Sequence, residues 1–279
     1  MSRPFNHRPR CPDRIAVLDI ETIAPPAPDG QSFPPWPTHE PVVASILSAT
    51  AKRYGRWDFE LESVTFEDGK AAIERCSNLL EGRTVIGFNS RNFDVLVLAR
   101  VAMFHRCFQG SGLARAWRAN RYNDEHIDVM DLVANYGARG ASLEILCRSL
   151  GIPVKLDAHG SEVGDMMTNG RFADVIRYCE QDTASHLCLA AMVLSLRYND
   201  PGYAGGLIAQ FGRWIRDNKV EHLRPFERID GHAELERLSL ANIVTEGLAS
   251  LEHRTHVRLA TGKAGDTGLA APGFSDFPV

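Results

Sequence analysis

No stretch of the 279-residue sequence approaches the roughly 18–20 consecutive apolar residues that a membrane-spanning helix needs. Residues 1–14 are basic and polar and contain no apolar segment, so they lack the pattern of a secretory signal peptide. Internal repeats are also missing. We therefore expect a chain that neither enters a membrane nor carries a secretory signal.

Paired cysteines are missing too. The six cysteines form no Cys-x-x-Cys pair, which argues against both a zinc site and a disulfide framework. Such a pattern is typical of reduced thiols in the cytoplasm. We predict a cytoplasmic location, with most of the cysteines serving as small core residues.

The sequence also lacks an excess of positive charge. The net charge is −4 and the pI is about 6.2, so the chain cannot hold duplex DNA by charge alone. A nucleic-acid enzyme is not excluded, because bound metal ions and a local basic rim can supply positive charge. The apolar fraction of 44% and the charged fraction of 24% are those of an ordinary globular protein.

The order of the predicted elements indicates a mixed α/β fold. Apolar and alternating segments predict strands at residues 15–21, 42–51, 57–66, 84–88 and 126–129. Helical periodicity predicts helices at residues 68–80, 93–108, 131–136, 142–150, 172–198, 203–219 and 232–250. The first three strands should form an antiparallel meander, and the later strand–helix–strand units should add parallel strands.

Composition divides the chain into four parts. We predict a flexible arm at residues 1–13, a main domain at residues 14–198 and a helical extension at residues 199–260. Residues 261–279 are rich in glycine, alanine and proline and are predicted to form a disordered tail.

The first strand ends in two acids, Asp19 and Glu21. Side chains alternate along a strand, so both carboxylates point to one face, while Leu18 and Ile20 point to the other face, into a core. Two neighbouring carboxylates raise the free energy of the folded chain unless a positive charge lies between them, and a divalent cation is the simplest candidate. The alternative is an exposed strand end with two solvated acids.

Two later segments add candidates to this pair. Asp94 follows the buried strand at residues 84–88 and opens a helix, so it either caps that helix or lines a ligand site at the carboxyl end of the strand. Tyr178 and Asp182 are four residues apart and share one face of the long helix, unless they simply contact each other at the rim of the core. In the segment HIDVMD at residues 126–131, Asp131 is expected to be the N-cap of the next helix, and Asp128 could line the site.

The segments LDIET, NSRNFD and YCEQD resemble the three motifs of the DEDD superfamily of 3′–5′ exonucleases. A tyrosine four residues before the last aspartate marks the tyrosine subgroup. The segments GFNSRNFD and HIDVMDL, and the loop after SLGIPVK, resemble in particular the stand-alone bacterial exonucleases similar to the proofreading domain of family B DNA polymerases. The resemblance covers residues 14–198 and implies a ribonuclease-H-like fold, with a five-stranded mixed sheet flanked by helices.

The resemblance also implies a chemistry. Asp19, Glu21, Asp94 and Asp182 would hold two divalent cations, Mg²⁺ or Mn²⁺, and Tyr178 would orient the attacking water. Such an enzyme releases nucleoside 5′-monophosphates from the 3′ end of single-stranded nucleic acid, and we favour DNA over RNA as the substrate.

Three neighbours of the motifs are expected, by position only, to contact the terminal nucleotide: Thr22, Asn89 and Phe93. Asn89 could equally be a turn residue and Phe93 a core residue.

Separately, arginines recur at positions 115, 118 and 121, beside Trp117 and Tyr122. Basic and aromatic side chains together suit a track for a single strand, and a solvated helix face is the alternative.

Two other functions stay open at this point. An exoribonuclease could use the same site, because contacts to the 2′-hydroxyl do not show in the sequence. A non-catalytic nucleic-acid-binding module could keep the fold, but it should have lost metal ligands, and all four carboxylates are present. The region after residue 199 is too short for a polymerase, so we expect a free-standing nuclease or a subunit that acts in trans.

Overall fold

The computed structural model describes residues 10–29, 33–137, 141–154 and 163–260. Most of the arm predicted at residues 1–13, and all of the tail predicted at residues 261–279, lie outside the described residues. The end of that arm contacts the domain. The Sγ of Cys11 donates to the backbone carbonyl of Leu194, and the carbonyl of Asp13 accepts from the amide of Ala51.

Five strands form one mixed sheet in the order β3-β2-β1-β4-β5. They are β1 (Arg14–Ile23), β2 (Glu40–Ala51), β3 (Trp57–Thr65), β4 (Thr84–Gly87) and β5 (His126–Asp128). β2 pairs antiparallel with both β1 and β3, whereas β4 pairs parallel with both β1 and β5. The predicted mixed α/β fold, with a meander followed by parallel strands, is confirmed.

Helices cover both faces of the sheet. Leu18 and Ile20 of β1 pack on one side against the core of α1 (Gly69–Leu80), α2 (Asp94–Phe104) and α3 (Ser111–Arg118). Ile15 and Val17 point to the other side, where they meet α7 (Phe172–Tyr198) and α8 (Pro201–Asn218). The shorter or more peripheral helices are α4 (Val129–Val133), α5 (Leu143–Ser149), α6 (Val163–Thr168) and α9 (His232–Ala260), with 3₁₀ turns at Trp36–Thr38, Arg53–Gly55 and Glu221–Glu227.

The single helix predicted at residues 93–108 is too long. α2 ends at Phe104 because Arg106 adopts a φ of 59°, which lets the amide of Cys107 bond to the carbonyl of Ala102. The separate helix α3 follows. Its Gly112 allows close contact with α1, since a Cβ there would lie 2.1 Å from the carbonyl oxygen of Ser77.

The expected N-cap at Asp131 is wrong. Asp128 caps α4 by accepting from the amide of Met130, so β5 ends at Asp128 and the helix starts two residues earlier than predicted. Asp131 instead pairs with Arg91 at 3.5 Å and Arg121 at 3.9 Å. The helix α6 was not predicted, and only a short stretch of helix forms there.

The two helices predicted after residue 199 are present as α8 and α9. Leu207 and Phe211 of α8 share one core with β1 and α7. Gln210 covers the open edge of β3, because its Oε1 accepts from the amide of Trp57 and its Nε2 donates to the carbonyl of Gly55. Within the described parts of the chain, no helix is long and apolar enough to cross a bilayer. All six cysteines are free thiols and four of them are buried.

Candidate active site

The carboxyl end of β1 presents Asp19 and Glu21 on the face that α7 covers. They pair with Ser45 and Val43 of β2, two residues apart, so they share one side of the sheet. The side chain of Asp19 is 14% exposed, and Glu21 is buried. The pairing register shifts between Glu21 and Thr22, so the regular strand ends just beyond the two acids.

The middle of α7 adds a third carboxylate, Asp182. One carboxylate oxygen from each of Asp19, Glu21 and Asp182 lies within 4.8 Å of the others. The turns before and after Asp182 also contact Asp19. The Sγ of Cys179 lies 3.4 Å from both the backbone carbonyl and Oδ2 of Asp19, and Nδ1 of His186 lies 4.0 Å from Oδ1.

Cys179 remains a protonated thiol beside these carboxylates. Burial raises the pKa of Cys179 well above its ordinary value, and the negative charges of Asp19 and Glu21 raise it further. A thiol that keeps its proton can donate to the Asp19 carboxylate, so Cys179 holds Asp19 in place without adding a charge.

Asp94 lies next to this group of three, as the first residue of α2 after the loop that follows β4. β4 pairs with β1 only at Ile15, Ala16 and Val17, so the amide of Ile20 lies beyond the last β4 pair. Asp94 Oδ1 accepts from that amide at 3.1 Å. Burial raises the pKa of Asp94 to about 7, and the charges of Asp128 and Asp182 also raise it. The fourth acid thus lies within electrostatic reach of Asp182.

The loop that leads to Asp94 is held by β5. Asp128 accepts from the backbone amides of Asn89 and Arg91, at 2.9 and 3.0 Å. The buried hydroxyl of Ser90 bonds to Nε2 of His126 at 2.9 Å. Burial lowers the pKa of His126 to about 4, so this histidine is neutral near pH 7. These contacts fix the path of the chain into α2 and therefore the position of Asp94.

Asn89, one of the three expected nucleotide contacts, serves the loop itself. Its φ is 59°, and its side-chain Oδ1 accepts from Nδ2 of Asn92 at 3.1 Å. The turn role that the sequence left open is therefore the one that the structure shows.

Thr22 and Phe93, the other two expected nucleotide contacts, meet at a buried histidine. The hydroxyl of Thr22 lies 2.7 Å from Nδ1 of His39, and the ring of Phe93 packs edge-on against His39 at 4.8 Å between centroids. Phe33, which is 58% exposed, stacks on the same histidine at 4.9 Å. Phe33, His39 and Phe93 thus place aromatic rings beside Thr22, near the carboxyl end of β1.

Tyr178 lies one helical turn before Asp182 on α7 and is 5% exposed. It packs in a cluster with Val42 and Val43 of β2 and with Val163 of α6. The structure therefore places Tyr178 on the same helix as Asp182, at the edge of the site, in an apolar surrounding.

Residues 31–227 match the model of a family described as "Predicted 3'-5' exonuclease related to the exonuclease domain of PolB". The chain belongs to this exonuclease family. The prediction of a 3′–5′ exonuclease is confirmed at that level. The match contains Asp94, Tyr178 and Asp182 and begins downstream of Asp19 and Glu21, which the fold brings to the same place. No curated protein matches the sequence.

Several solved structures are similar to this exonuclease-family chain. The family B DNA polymerase from Pyrobaculum calidifontis is 14% identical, with a TM-score of 0.45, and the match covers 71% of this chain and 26% of that one. A product-bound exonuclease I is 14% identical, with a TM-score of 0.42, and the match covers 69% of this chain and 46% of that one. E. coli exonuclease I in complex with a dA16 oligonucleotide is 14% identical, with a TM-score of 0.41, and the match covers 69% of this chain and 43% of that one. The chain spans less than half the length of each.

The residues of the exonuclease site suit hard divalent cations. Carboxylate oxygens are the ligands that Mg²⁺ prefers, and three of them converge here. A fourth carboxylate, Asp94, is buried nearby, and burial of a charge without a counter-charge is unfavourable. A bound cation would relieve that cost, so the donor set fits the predicted metal.

Sequence reasoning missed several supporting residues, among them His39, Cys179 and His186. His39 and His186 are single residues in an irregular and a largely apolar segment, so no local pattern marks them, and Cys179 lies inside the motif YCEQD but has the pattern of a core cysteine. Asp128 was recognised only as a residue that could line the site, whereas it holds the loop before Asp94.

Proposed function

We propose that this chain is a divalent-cation-dependent 3′–5′ exonuclease of the tyrosine subgroup of the DEDD superfamily, of the stand-alone bacterial type. Its substrate is single-stranded DNA, and its products are nucleoside 5′-monophosphates. The observation that carries the proposal is the convergence of Asp19, Glu21 and Asp182 within 4.8 Å in a chain of an exonuclease family. The preference for DNA is supported by the relation of that family to the exonuclease domain of PolB.

Each acid has a distinct place in this proposal. Asp19, Glu21 and Asp182 would hold the cation on the side of the attacking water, and Asp19 and Asp94 the cation on the side of the leaving group. Bound divalent cations supply Lewis acidity and make a water deprotonable near neutral pH.

The rest of the chemistry falls to the side chains around these acids. Tyr178 would orient the attacking water through its hydroxyl. Cys179 donates to the carboxylate of Asp19 from the turn of α7 before Asp182, which keeps that carboxylate aimed at the other acids, and His186 packs beside it. Buried Asp94, with a pKa of about 7, is in its ionised form when a cation is close, because an opposite charge favours the carboxylate.

The test is a gel assay on 5′-labelled single-stranded DNA and RNA with Mg²⁺ or Mn²⁺. Wild type should give a ladder that shortens from the 3′ end. Asp19→Ala and Asp182→Ala should give none, and Tyr178→Phe should be slowed less than either. Asp217→Ala, at an exposed acid on α8, is the matched control and should behave as wild type.

Each other outcome of this assay has a defined meaning. A ladder on RNA alone would replace DNA by RNA as the substrate and leave the chemistry in place. Metal-dependent cleavage that survives Asp19→Ala would remove Asp19 from the site. Failure of wild type to cleave either substrate would contradict the proposal and favour a binding module.

A further inference from the structure

An open cleft lies along the free edge of β5, and none of the four carboxylates lines it. β5 and α4 form one wall, the segment before β5 forms another, and the last turn of α7 closes the cleft. Its lining combines three arginines and three tyrosines with a few acids. The proposed function gives no role to this cleft.

Aromatic rings in the cleft are arranged as a platform. Tyr122 is 79% exposed, and its ring lies 5.6 Å from that of Tyr136. The guanidinium of Arg197, on α7, lies 6.0 Å from the centroids of both Tyr136 and Tyr198, and it donates to the hydroxyl of Tyr136 at 3.2 Å. An aromatic side chain this exposed, beside a second ring and a guanidinium, is suited to stacking on a flat ligand.

The backbone at Tyr136 is strained in a way that maintains this arrangement. Asn135 and Tyr136 have φ values of 49° and 60°, which side-chain-bearing residues rarely adopt. The amide of Tyr136 bonds to the carbonyl of Asp131 at 2.7 Å and holds the turn. Strain of this kind persists where the surroundings fix it, and it is found disproportionately at ligand sites.

The arginines divide into those bonded to backbone carbonyls and those whose side chains are exposed at the cleft. Arg91 is engaged with the backbone, since it donates to the carbonyls of Ala119 and His126. Arg115 of α3 donates to the carbonyls of Leu80 and Arg83, so it contributes to packing and not to the single-strand track considered from the sequence. Arg121 and Arg197 remain at the cleft, and both are exposed.

Asp128 connects the cleft to the site of the carboxylates. Asp128 lines the cleft and, through the amides of Asn89 and Arg91, holds the loop that leads to Asp94. Asp128 is level with Gly87 of β4, one residue past the point where Ile86 pairs with Val17 of β1. β5 is two strands from β1, a lateral distance of about 10 Å, and Arg197 lies about 22 Å beyond Asp182 along α7.

We propose that this cleft is a stacking subsite for bases of the single strand upstream of the bond to be cut. When the 3′ end is at the carboxylates, the rest of the strand must leave in the 5′ direction, and the β5 edge is an adjacent surface. Tyr122 and Tyr136 stack on bases, and Arg121 and Arg197 attract the phosphates. The ligand is a single-stranded nucleic acid, and the inference rests on the proposed function for the direction of the strand.

The experiment compares binding and cleavage in the full chain. Affinity for a fluorescent 20-nucleotide single-stranded DNA is measured by anisotropy in EDTA, as a function of salt. Hydrolysis of a 5′-phosphorylated dinucleotide, too short to reach the cleft from the carboxylates, is measured with Mn²⁺. The variants are Tyr122→Ala and Arg197→Ala, with Phe108→Ala (74% exposed) and Arg216→Ala as controls on other surfaces.

Tyr122→Ala should weaken binding of the 20-nucleotide strand about five-fold or more, since stacking on an aromatic side chain is worth at least about 1 kcal/mol per base. The salt dependence of this variant's affinity for the strand should match that of wild type. Arg197→Ala should weaken binding and also reduce the slope of log K against log salt by about 0.7, the value for one phosphate contact to a single strand. The dinucleotide rate and both controls should match wild type.

Affinity of Tyr122→Ala within two-fold of wild type would overturn the subsite. If the dinucleotide is still cleaved in that case, the proposed exonuclease stands without the cleft. If wild type cleaves nothing but its binding depends on Tyr122, the cleft stands and the proposed function fails.

Discussion

Replacing Asp94 by asparagine should make the chain more stable at pH 8 while abolishing hydrolysis. The side chains have the same size, and the Oδ1 of asparagine can still accept from the amide of Ile20. The difference is charge. Asp94 is buried, and burial raises its pKa from 3.8 to about 7, so at pH 8 the folded chain contains an ionised carboxylate that asparagine removes.

The sign and the magnitude follow from proton linkage. A carboxyl with a raised pKa binds its proton more tightly in the folded state, so its contribution favours folding at low pH and is lost as pH rises from 3.8 to about 7. One pKa unit corresponds to about 1.36 kcal/mol. Between pH 5 and pH 8 the folded wild type should therefore lose about 3 kcal/mol from this group, and the variant should lose none of it.

Urea denaturation of both chains in EDTA, at pH 5 and at pH 8, measures this directly. The relevant quantity is the change in unfolding free energy between the two pH values, wild type minus variant. His126 and Asp128, whose pKa values are also shifted, occur in both chains, so their direct contributions cancel. A difference below about 1 kcal/mol would refute the reasoning. Saturating Mn²⁺ should stabilise wild type at pH 8 much more than the variant.

Three further substitutions test individual contacts in the fold. Gly112→Ala should destabilise the fold by about 1–3 kcal/mol, because its Cβ would meet the backbone of α1 at 2.1 Å; Gly164→Ala, with open space around it, should not, and urea denaturation compares them. Gln210→Met leaves the amide of Trp57 unpaired, so stability should fall by about 1–3 kcal/mol, and hydrogen exchange of that amide should become faster. Asp128→Asn replaces one acceptor oxygen by an NH₂ group that faces a loop amide. Nuclease turnover should therefore fall, and the free energy of unfolding should fall by about 2 kcal/mol. Unchanged turnover would show that the loop does not depend on Asp128.

The sheet could be predicted because its signals are local. Apolar strands bounded by turns, and the alternation that puts Asp19 and Glu21 on one face, depend on neighbouring residues only. Helix ends were predicted less well. α2 ends where Arg106 adopts a positive φ, which the helical periodicity does not reveal, and the start of α3 depends on the contact of Gly112 with α1, which is distant in sequence.

By itself, the sequence determined which side chains can carry the chemistry: the acids at residues 19, 21, 94 and 182 and the tyrosine at residue 178. The spacing of these residues within each motif follows from the geometry of strands and helices, so it can be interpreted without knowledge of the fold. Only the tertiary structure decided how they meet. The crossing of α7 over β1 brings Asp182 within 4.8 Å of Asp19 and Glu21 across more than 160 residues. The tertiary structure also decides the position of buried Asp94. The pairing of β4 with β1 ends at Val17, so the amide of Ile20 is available to donate to Asp94.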